Sequence, residues 1–278
     1  MHTTLVSTSQ LASHLADWAI VDCRFDLHNE TWGRDQYLAS HIPGAVYANL
    51  NDDLSGPRTG RNGRHPLPTL EAFASTLGRL GISSDMQVVA YDQDSGMYAS
   101  RLWWLLRFAG QRAVAVLDGG WAAWTRERRP TRDCQEQRRP VIFTPESGLE
   151  KPVLIDEAAA AVRDEQRVLV DARAPERYEG RVEPIDRVPG HIPGAVNRFF
   201  KDNLTSDGTF KQPDTLREQF TQVLAGHEPT QAIVYCGSGV TACHNLLAME
   251  HAGLHGARLY PGSWSEWSTD PSRPIEKA

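Results

Sequence analysis

A cysteine placed between a strand and a helix is the residue of this chain best suited to covalent chemistry. The apolar run 232–235 predicts a buried strand that ends at Cys236, and apolar residues at helical spacing from 246 onward predict a helix. The short loop between them contains two glycines and a serine, so its amides can turn inward as a nest of hydrogen-bond donors. These amides and the positive end of the following helix would stabilise a thiolate. Cys236 is therefore predicted to be a nucleophile that carries negative charge.

The sequence of this loop resembles that of a known family. Residues 236–242 read CGSGVTA, which is similar to the active-site loop of two-domain sulfurtransferases of the rhodanese type, specifically the 3-mercaptopyruvate branch. The thiosulfate branch usually carries basic residues where this loop has Gly237 and Ser238. The resemblance implies that Cys236 carries sulfur as a persulfide. The surrounding backbone would come from Gly237, Gly239, Val240 and Thr241.

The composition is that of an ordinary globular protein. The 278 residues suffice for two domains with full cores, and 40% of them are apolar and 23% charged. The formal net charge is -6, from 29 basic and 35 acidic residues, and no long basic run accompanies it. A nucleic-acid partner is therefore not expected. A small anionic substrate would have to be bound by local arginines.

The sequence favours a cytoplasmic protein without a membrane partner. The first residues lack a basic start followed by a long apolar stretch, and no run approaches the ~18 apolar residues that span a bilayer. The four cysteines, at 23, 134, 236 and 243, have no metal-type spacing, so no metal site is expected. A reducing compartment would keep them as thiols.

Several motifs occur twice, which indicates two copies of one domain. Residues 41–46 read HIPGAV, and the same six letters recur at 191–196. An apolar strand that ends in Asp-x-Arg precedes each copy, at 19–24 and 168–173. Further matches in the same order are the strands 88–91 and 232–235 and the tryptophan motifs that begin at 117 and 259.

Within each copy, short buried strands alternate with helical stretches, which is typical of a parallel sheet flanked by helices on both faces. The predicted fold class is therefore α/β, and the resemblance implies that the two copies are tandem rhodanese-like domains. We place these domains at residues 1–128 and 150–278. The intervening residues 129–149 show little periodicity and are interpreted as a linker.

The repetition separates scaffold from chemistry. Features present in both copies, the Asp-x-Arg pair and the HIPGAV turn, are predicted to be structural, because only one copy has a cysteine at its strand end. The same reasoning applies to His191, since its counterpart His41 has no nucleophile to activate. Where the second copy has Cys236, the first has Asp92, and a carboxylate cannot accept and pass on a sulfur atom. The first domain is therefore predicted to be non-catalytic.

Arginines in the segment 174–190 are candidates for binding the substrate. By resemblance to the family, Arg177 matches a residue that holds the carboxylate or sulfonate of the donor, and either Arg181 or Arg187 could supply the second cation. A planar guanidinium group suits a bidentate contact with a carboxylate. The alternative is that these arginines form surface ion pairs with the acidic residues around them.

A Gly- and Arg-rich loop at residues 56–68 distinguishes the first copy, and we expect it to overhang the site of the second. His65 in this loop matches a histidine that the resemblance places near the reactive cysteine, where it would act as a relay. The acid that would work with it falls near Asn51, with Asp52 and Asp53 adjacent, so the acid of this relay stays open. Alternatively, His65 is a loop residue packed in the interface.

The loop length excludes one rival chemistry. A cysteine phosphatase needs a Cys-x5-Arg spacing to clamp phosphate oxygens, and this chain has Ala242 at that position. Sulfur transfer fits instead, in a two-step covalent scheme that needs no metal or organic cofactor. The donor would be 3-mercaptopyruvate or, alternatively, thiosulfate. Arginines at the rim and the Ser238 hydroxyl as a proton relay favour mercaptopyruvate, although serine also suits a tight turn.

The acceptor of the sulfur would be cyanide, a thiol or a reduced thioredoxin-like protein. A hypothesis of another class is a non-catalytic module that carries or senses a persulfide without turnover. Two full-length domains and the segment around Arg177 argue against this module, because a carrier needs no pocket for a small molecule.

Overall fold

The computed structural model describes residues 1–146, 148 and 150–278, which cluster into two compact units. The first unit contains Met1–Gly56, Leu67–Glu150 and Ser206–Phe210, and the second contains Pro57–Pro66, Lys151–Thr205 and Lys211–Ala278. Each unit therefore includes a short segment from the other half of the sequence repeat.

The first unit is built on a five-stranded parallel sheet. Its strands are β1 (Leu5–Val6), β2 (Ala19–Asp22), β3 (Ala45–Tyr47), β4 (Val88–Tyr91) and β5 (Val114–Leu117), in the spatial order β1-β5-β4-β2-β3. Its helices are α1 (Thr8–Ala12), α2 (Trp32–Ala39), α3 (Leu70–Arg79), α4 (Ala99–Phe108) and α5 (Gly120–Arg126). Every residue of β2, β4 and β5 is buried, as expected for central strands of a parallel sheet.

The second unit repeats this plan with four parallel strands. They are β6 (Val168–Asp171), β7 (Val196–Asn197), β8 (Ala232–Tyr235) and β9 (Arg258–Leu259), in the order β7-β6-β8-β9. The helices are α6 (Ile155–Ala161), α7 (Pro175–Tyr178), α8 (Pro213–Leu224), α9 (Thr241–His251) and α10 (Ser263–Trp267), with 3-10 turns at Phe200–Asn203 and Pro229–Gln231. The α/β prediction, with a parallel sheet and flanking helices in each half, is confirmed.

The strand register is the same in the two units. Asp22 of β2 lies opposite Tyr91 of β4, and Asp171 of β6 lies opposite Tyr235 of β8. In both units the chain leaves the second strand of this pair, β4 or β8, through a short loop into a buried helix. The carboxyl ends of these central strands are therefore where the chemistry of either unit must be sought.

The Asp-x-Arg pairs are structural in both units. Arg24 donates two side-chain hydrogen bonds to one carboxylate oxygen of Asp22, at 2.9 and 2.6 Å, and Arg173 binds Asp171 in the same way. All four side chains are buried, and each guanidinium also lies over a tryptophan ring. Removal of one partner would leave a buried charge without its counter-ion.

The histidines of the HIPGAV turns also make matching contacts. The ring of His41 lies against Tyr37 with Nδ1 2.7 Å from the Tyr37 carbonyl, and His191 has the same arrangement with Tyr178. Since His41 belongs to the unit without a cysteine at its strand end, these contacts agree with the scaffold role that the repeat predicts for His191.

Helix α9 is buried in the core of the second unit and follows directly after the loop that begins at Cys236. Its residues from Ala242 to Met249 are all buried, including His244 and Asn245. These polar side chains are satisfied internally, because the Asn203 amide donates to Asn245 at 2.7 Å and lies 3.2 Å from His244 Nδ1. These contacts join α9 to the 3-10 turn at Phe200–Asn203.

Residues 129–146 run as irregular chain over the first unit. Arg132 forms an isolated bridge with His41, and the Val141 amide donates to the Gly78 carbonyl at 3.0 Å. Among the described residues, no helix combines the length and the apolar character needed to cross a membrane.

We predict that Asp22→Ala lowers the free energy of unfolding by about 3 to 5 kcal/mol, because Arg24 would remain buried without its carboxylate. Urea denaturation followed by tryptophan fluorescence measures this change. The control is Asp164→Ala, which removes an exposed pair with Arg167 at 3.8 Å and should cost at most about 1 kcal/mol. Equal losses in the two variants would show that the buried ion pair contributes no more to the free energy of unfolding than the exposed one.

Candidate active site

The backbone of Cys236 is fixed on both sides by the turn that opens α10. Its amide donates to the Ser263 hydroxyl at 3.1 Å, and that hydroxyl donates to the Tyr260 carbonyl at 2.9 Å. The Cys236 carbonyl accepts from the Trp264 amide at 2.9 Å. The side chain of Cys236 is buried at the end of β8. The backbone on either side of the Cys236 side chain is therefore held by hydrogen bonds.

The two glycines of the loop serve different steric needs. Gly239 has a φ of 73°, and a Cβ atom there would lie 2.4 Å from the Pro261 carbonyl oxygen. At Gly237 a Cβ atom would lie 3.0 Å from Arg64 Nη2 and 3.5 Å from Arg177 Nη2. Gly239 therefore lets the loop turn, and Gly237 leaves room for two guanidinium groups beside Cys236.

In the first unit, Asp92 follows strand β4 at the position that corresponds to Cys236 after β8. Its buried carboxylate accepts hydrogen bonds from the amides of Gly96, Tyr98 and Ala99, at 2.8, 2.7 and 3.0 Å. Burial raises the pKa of Asp92 to about 6, and the hydrogen bonds from these amides oppose the increase. Its carbonyl accepts from Trp121, as the Cys236 carbonyl accepts from Trp264. At neutral pH this position therefore holds an anion among inward-facing amides.

Ser238 and His65 come together in the second unit. Nδ1 of His65 lies 2.8 Å from the Ser238 hydroxyl, and both side chains are buried. The Arg64 amide donates to the Ser265 hydroxyl at 2.9 Å, which fixes the backbone just before His65. The acids considered for the relay belong to the first unit, where Asp53 pairs with Arg79 and Asp52 is exposed. The geometry provides a serine-histidine pair and leaves its acid unassigned.

The arginines predicted to bind substrate differ in their surroundings. Arg177 is largely buried and lies beside Gly237. Arg181 is exposed and forms an ion pair with Glu179, and Arg187 is also exposed. Arg64 was not among the residues predicted to bind substrate, yet its guanidinium lies as close to Gly237 as that of Arg177. Its position directly before His65 in the arginine-rich loop is the signal that could have identified it.

The remaining cysteine of this region has a packing contact. Cys243 is buried on α9, and its thiol donates to the Gly239 carbonyl at 3.3 Å. All four cysteines are free thiols. Within the described part of the chain, no group of three or more His, Cys, Asp or Glu side chains is arranged to hold a metal ion.

A cavity of about 670 Å³ lies elsewhere, in the first unit. Its walls include Tyr37, Asn49 and Arg79 but neither Asp92 nor the loop that follows it. The volume of a cavity alone is therefore no guide to the candidate site, which we place at Cys236 because of its chemistry.

Comparisons with known proteins agree with this geometry. A family model described as a rhodanese-like domain matches residues 7–127 and 154–270. A "Probable 3-mercaptopyruvate sulfurtransferase" of Pseudomonas aeruginosa is 46% identical over 98% of this chain and 97% of its own length. A "Thiosulfate sulfurtransferase" of Mus musculus is 34% identical over 96% of this chain and 92% of its own length.

A solved structure shares the fold of the whole molecule. It is that of 3-mercaptopyruvate sulfurtransferase from Leishmania major, with a TM-score of 0.86 at 30% sequence identity. The match covers 96% of this chain and 74% of that chain.

We predict that Gly239→Ala is more destructive than its matched control Gly194→Ala. Both glycines have a φ of 73°, but a Cβ atom at 194 has nothing within 4 Å, whereas one at 239 meets the Pro261 carbonyl. The control should lose about 1 to 2 kcal/mol of stability through the left-handed conformation alone. Gly239→Ala should lose more, and the alkylation rate of Cys236 by iodoacetamide should change with it. Equal stability losses and unaltered alkylation would contradict the prediction.

Proposed function

Because the chain belongs to the rhodanese family of sulfurtransferases, we propose that it moves a sulfur atom from 3-mercaptopyruvate to a thiophilic acceptor through a persulfide on Cys236. The observation that carries this proposal is the surroundings of Cys236, where a buried thiol lies next to a serine-histidine pair and two arginines. The identity of 46% with a protein named for this donor supports the choice of substrate.

In the first step the Cys236 thiolate attacks the thiol sulfur of the donor. A new S–S bond forms, the C–S bond breaks, and its electron pair leaves on carbon as the pyruvate enolate. The enolate takes up a proton and becomes pyruvate, so that carbon is reduced while the transferred sulfur is oxidised to the sulfane level. Loss of the sulfhydryl proton leaves a persulfide anion. Inward amides like those that hold the Asp92 carboxylate would stabilise the charge of its outer sulfur.

The proton for the enolate is assigned to Ser238. Its hydroxyl lies 2.8 Å from His65, so a proton given up by serine can be replaced through the imidazole. Thiosulfate differs at this point, because its S–S bond breaks to release sulfite, which needs no proton to leave. The serine-histidine pair therefore supports a donor that leaves as a carbon anion.

The carboxylate of mercaptopyruvate is assigned to Arg177. Its guanidinium lies beside Gly237, within reach of a small molecule whose sulfur is at Cys236. For the second cation the position of Arg64 favours that residue over Arg181 and Arg187, which are exposed. Planar guanidinium groups suit carboxylate oxygens.

Thiosulfate is the second candidate donor. A relative that is 34% identical over nearly the full chain carries that name, and Arg64 and Arg177 supply the positive charge that the loop itself lacks. The same Cys236 persulfide would form, with sulfite as the leaving group. In the second step cyanide, a thiol or a reduced thioredoxin-like protein would attack the outer sulfur and release the Cys236 thiolate.

The first unit is assigned no chemistry of its own. At the end of β4 the Asp92 carboxylate takes the place of a cysteine, and its oxygens already accept hydrogen bonds from the amides of the loop. The first half of the sequence nevertheless contributes Arg64 and His65 to the second unit.

We predict that Cys236→Ser abolishes pyruvate release from mercaptopyruvate and sulfite release from thiosulfate, because a hydroxyl cannot form a persulfide. Mass spectrometry of the unaltered protein after donor exposure should show a gain of one sulfur atom on the peptide that contains Cys236. The control is Cys134→Ser, at an exposed thiol, which should keep full activity. Retained turnover by Cys236→Ser would overturn the proposed function, and persulfide formation without release of sulfur to any acceptor would favour the carrier module.

We predict that Ser238→Ala slows turnover of mercaptopyruvate by about 10²-fold, the usual contribution of a positioned proton donor, and affects thiosulfate much less. Steady-state kinetics with both donors measures the difference. The control is Ser272→Ala at the surface, which should change neither rate. An equal loss for both donors would mean that Ser238 shapes the loop and moves no proton.

A further inference from the structure

A buried carboxylate bridges the two arginines beside Cys236. Asp186 accepts from Arg64 Nη1 at 2.6 Å through one oxygen and from Arg177 Nη2 at 3.0 Å through the other. Its side chain is only 5% exposed, so solvent screens these contacts weakly. The two cations closest to Gly237 therefore share one negative partner before any substrate arrives.

Arg64 and Arg177 each have a terminal nitrogen near Gly237 that is bound neither to Asp186 nor to Glu183. Arg64 Nε is buried and has no hydrogen-bond partner among the described residues. Arg64 Nη2 and Arg177 Nη1 lie 3.0 and 3.6 Å from the point that a Cβ atom of Gly237 would occupy. These N–H groups are available to an incoming anion while the bridge to Asp186 stays intact.

A second carboxylate fixes Arg177. Glu183 accepts from Arg177 Nε and Nη2 at 2.8 to 3.1 Å, and it also accepts from the amides of Ile185 and Asp186. Burial acts to raise the pKa of Glu183, but the hydrogen bonds from Arg177 and the Asp186 amide outweigh it and lower the pKa. Glu183 is therefore ionised at neutral pH. It also accepts from Arg173 Nη1 at 3.3 Å, and Arg173 is paired with Asp171. Three guanidinium groups of this cluster are thus balanced by three carboxylates, those of Asp171, Glu183 and Asp186.

We propose that Asp186 determines which donor charge this site accepts, so that it favours a monoanion over a dianion. The inference rests on the proposed function and names the specificity determinant of that same site. A monoanionic carboxylate can bind the remaining N–H groups of Arg64 and Arg177 beside a charge-balanced cluster. A dianion such as thiosulfate brings a second negative charge close to the Asp186 carboxylate, where repulsion opposes it.

The test removes the negative charge of Asp186 and keeps the shape of its side chain. Asp186→Asn should raise kcat/KM for thiosulfate relative to that for 3-mercaptopyruvate by roughly tenfold or more, because one unit charge several ångströms away is worth at least that much at the effective dielectric constant of a protein. Asp186→Glu, which keeps the charge, should retain the ratio of the unaltered protein. The matched control is Asp214→Asn, a carboxylate in an exposed pair with Arg217, which should leave both specificity constants unchanged.

A binding measurement separates this inference from the proposed function. Protection of Cys236 against iodoacetamide is measured with pyruvate as the monoanion and sulfate as the dianion, which needs no sulfur transfer. Pyruvate should protect the unaltered protein better than sulfate, and Asp186→Asn should gain protection by sulfate.

Two outcomes would overturn the inference. One is a donor ratio and an anion preference that are the same in Asp186→Asn and the unaltered protein. The other is a change in Asp186→Glu as large as in Asp186→Asn, which would assign Asp186 a purely structural role. If the unaltered protein turned over neither donor, the proposed function would fail, and the protection experiment would still decide the charge preference.

Discussion

The structure of this protein depends on the junction where a buried parallel strand, β4 or β8, leads through a short loop into a buried helix. Several backbone amides face inward at such a junction. Buried amides without an acceptor are costly, and the start of the helix adds positive potential at the same point. In the first unit the acceptor is the Asp92 carboxylate, to which four backbone amides donate hydrogen bonds. The second unit places Cys236 at the same point of an equivalent strand. The thiol of Cys236 therefore occupies the position that a buried carboxylate occupies in the first unit.

Reactivity at such a junction requires that the loop keep its shape through the reaction. In the second unit this comes from the turn around Ser263, which binds the amide of Cys236 through its hydroxyl, and from Trp264, which donates to the carbonyl. Gly239 closes the loop at a place where any side chain would meet Pro261. The positions of sulfur and of the neighbouring Ser238 hydroxyl therefore follow from backbone hydrogen bonds and packing.

The charges around Cys236 are arranged to be nearly balanced. Arg64 and Arg177 lie beside Gly237, but Asp186 forms ion pairs with both of them and Glu183 forms one with Arg177. Arginines without carboxylate partners would bind a dianion more strongly than a monoanion, because attraction grows with the charge of the anion. When the arginines are paired with carboxylates, this advantage of the dianion is reduced, and the fit of a small carboxylate to the remaining N–H groups has more influence on binding. Selectivity in this design would come from the carboxylates as much as from the arginines.

The sequence alone determined the repeat and the parallel α/β fold, because these depend on local patterns, and it predicted Cys236 as the nucleophile and a scaffold role for the paired motifs. Apolar runs fix the strands, Asp-x-Arg and HIPGAV recur in order, and a cysteine between a strand and a glycine turn has few structural alternatives. Tertiary structure decided which side chains meet. Residues 57–66 of the first half belong to the second unit, and this brings Arg64 and His65 to the loop of Cys236. Arg181 and Arg177 look alike in sequence, yet one is exposed and the other lies beside Gly237, since burial and charge pairing depend on how distant segments pack.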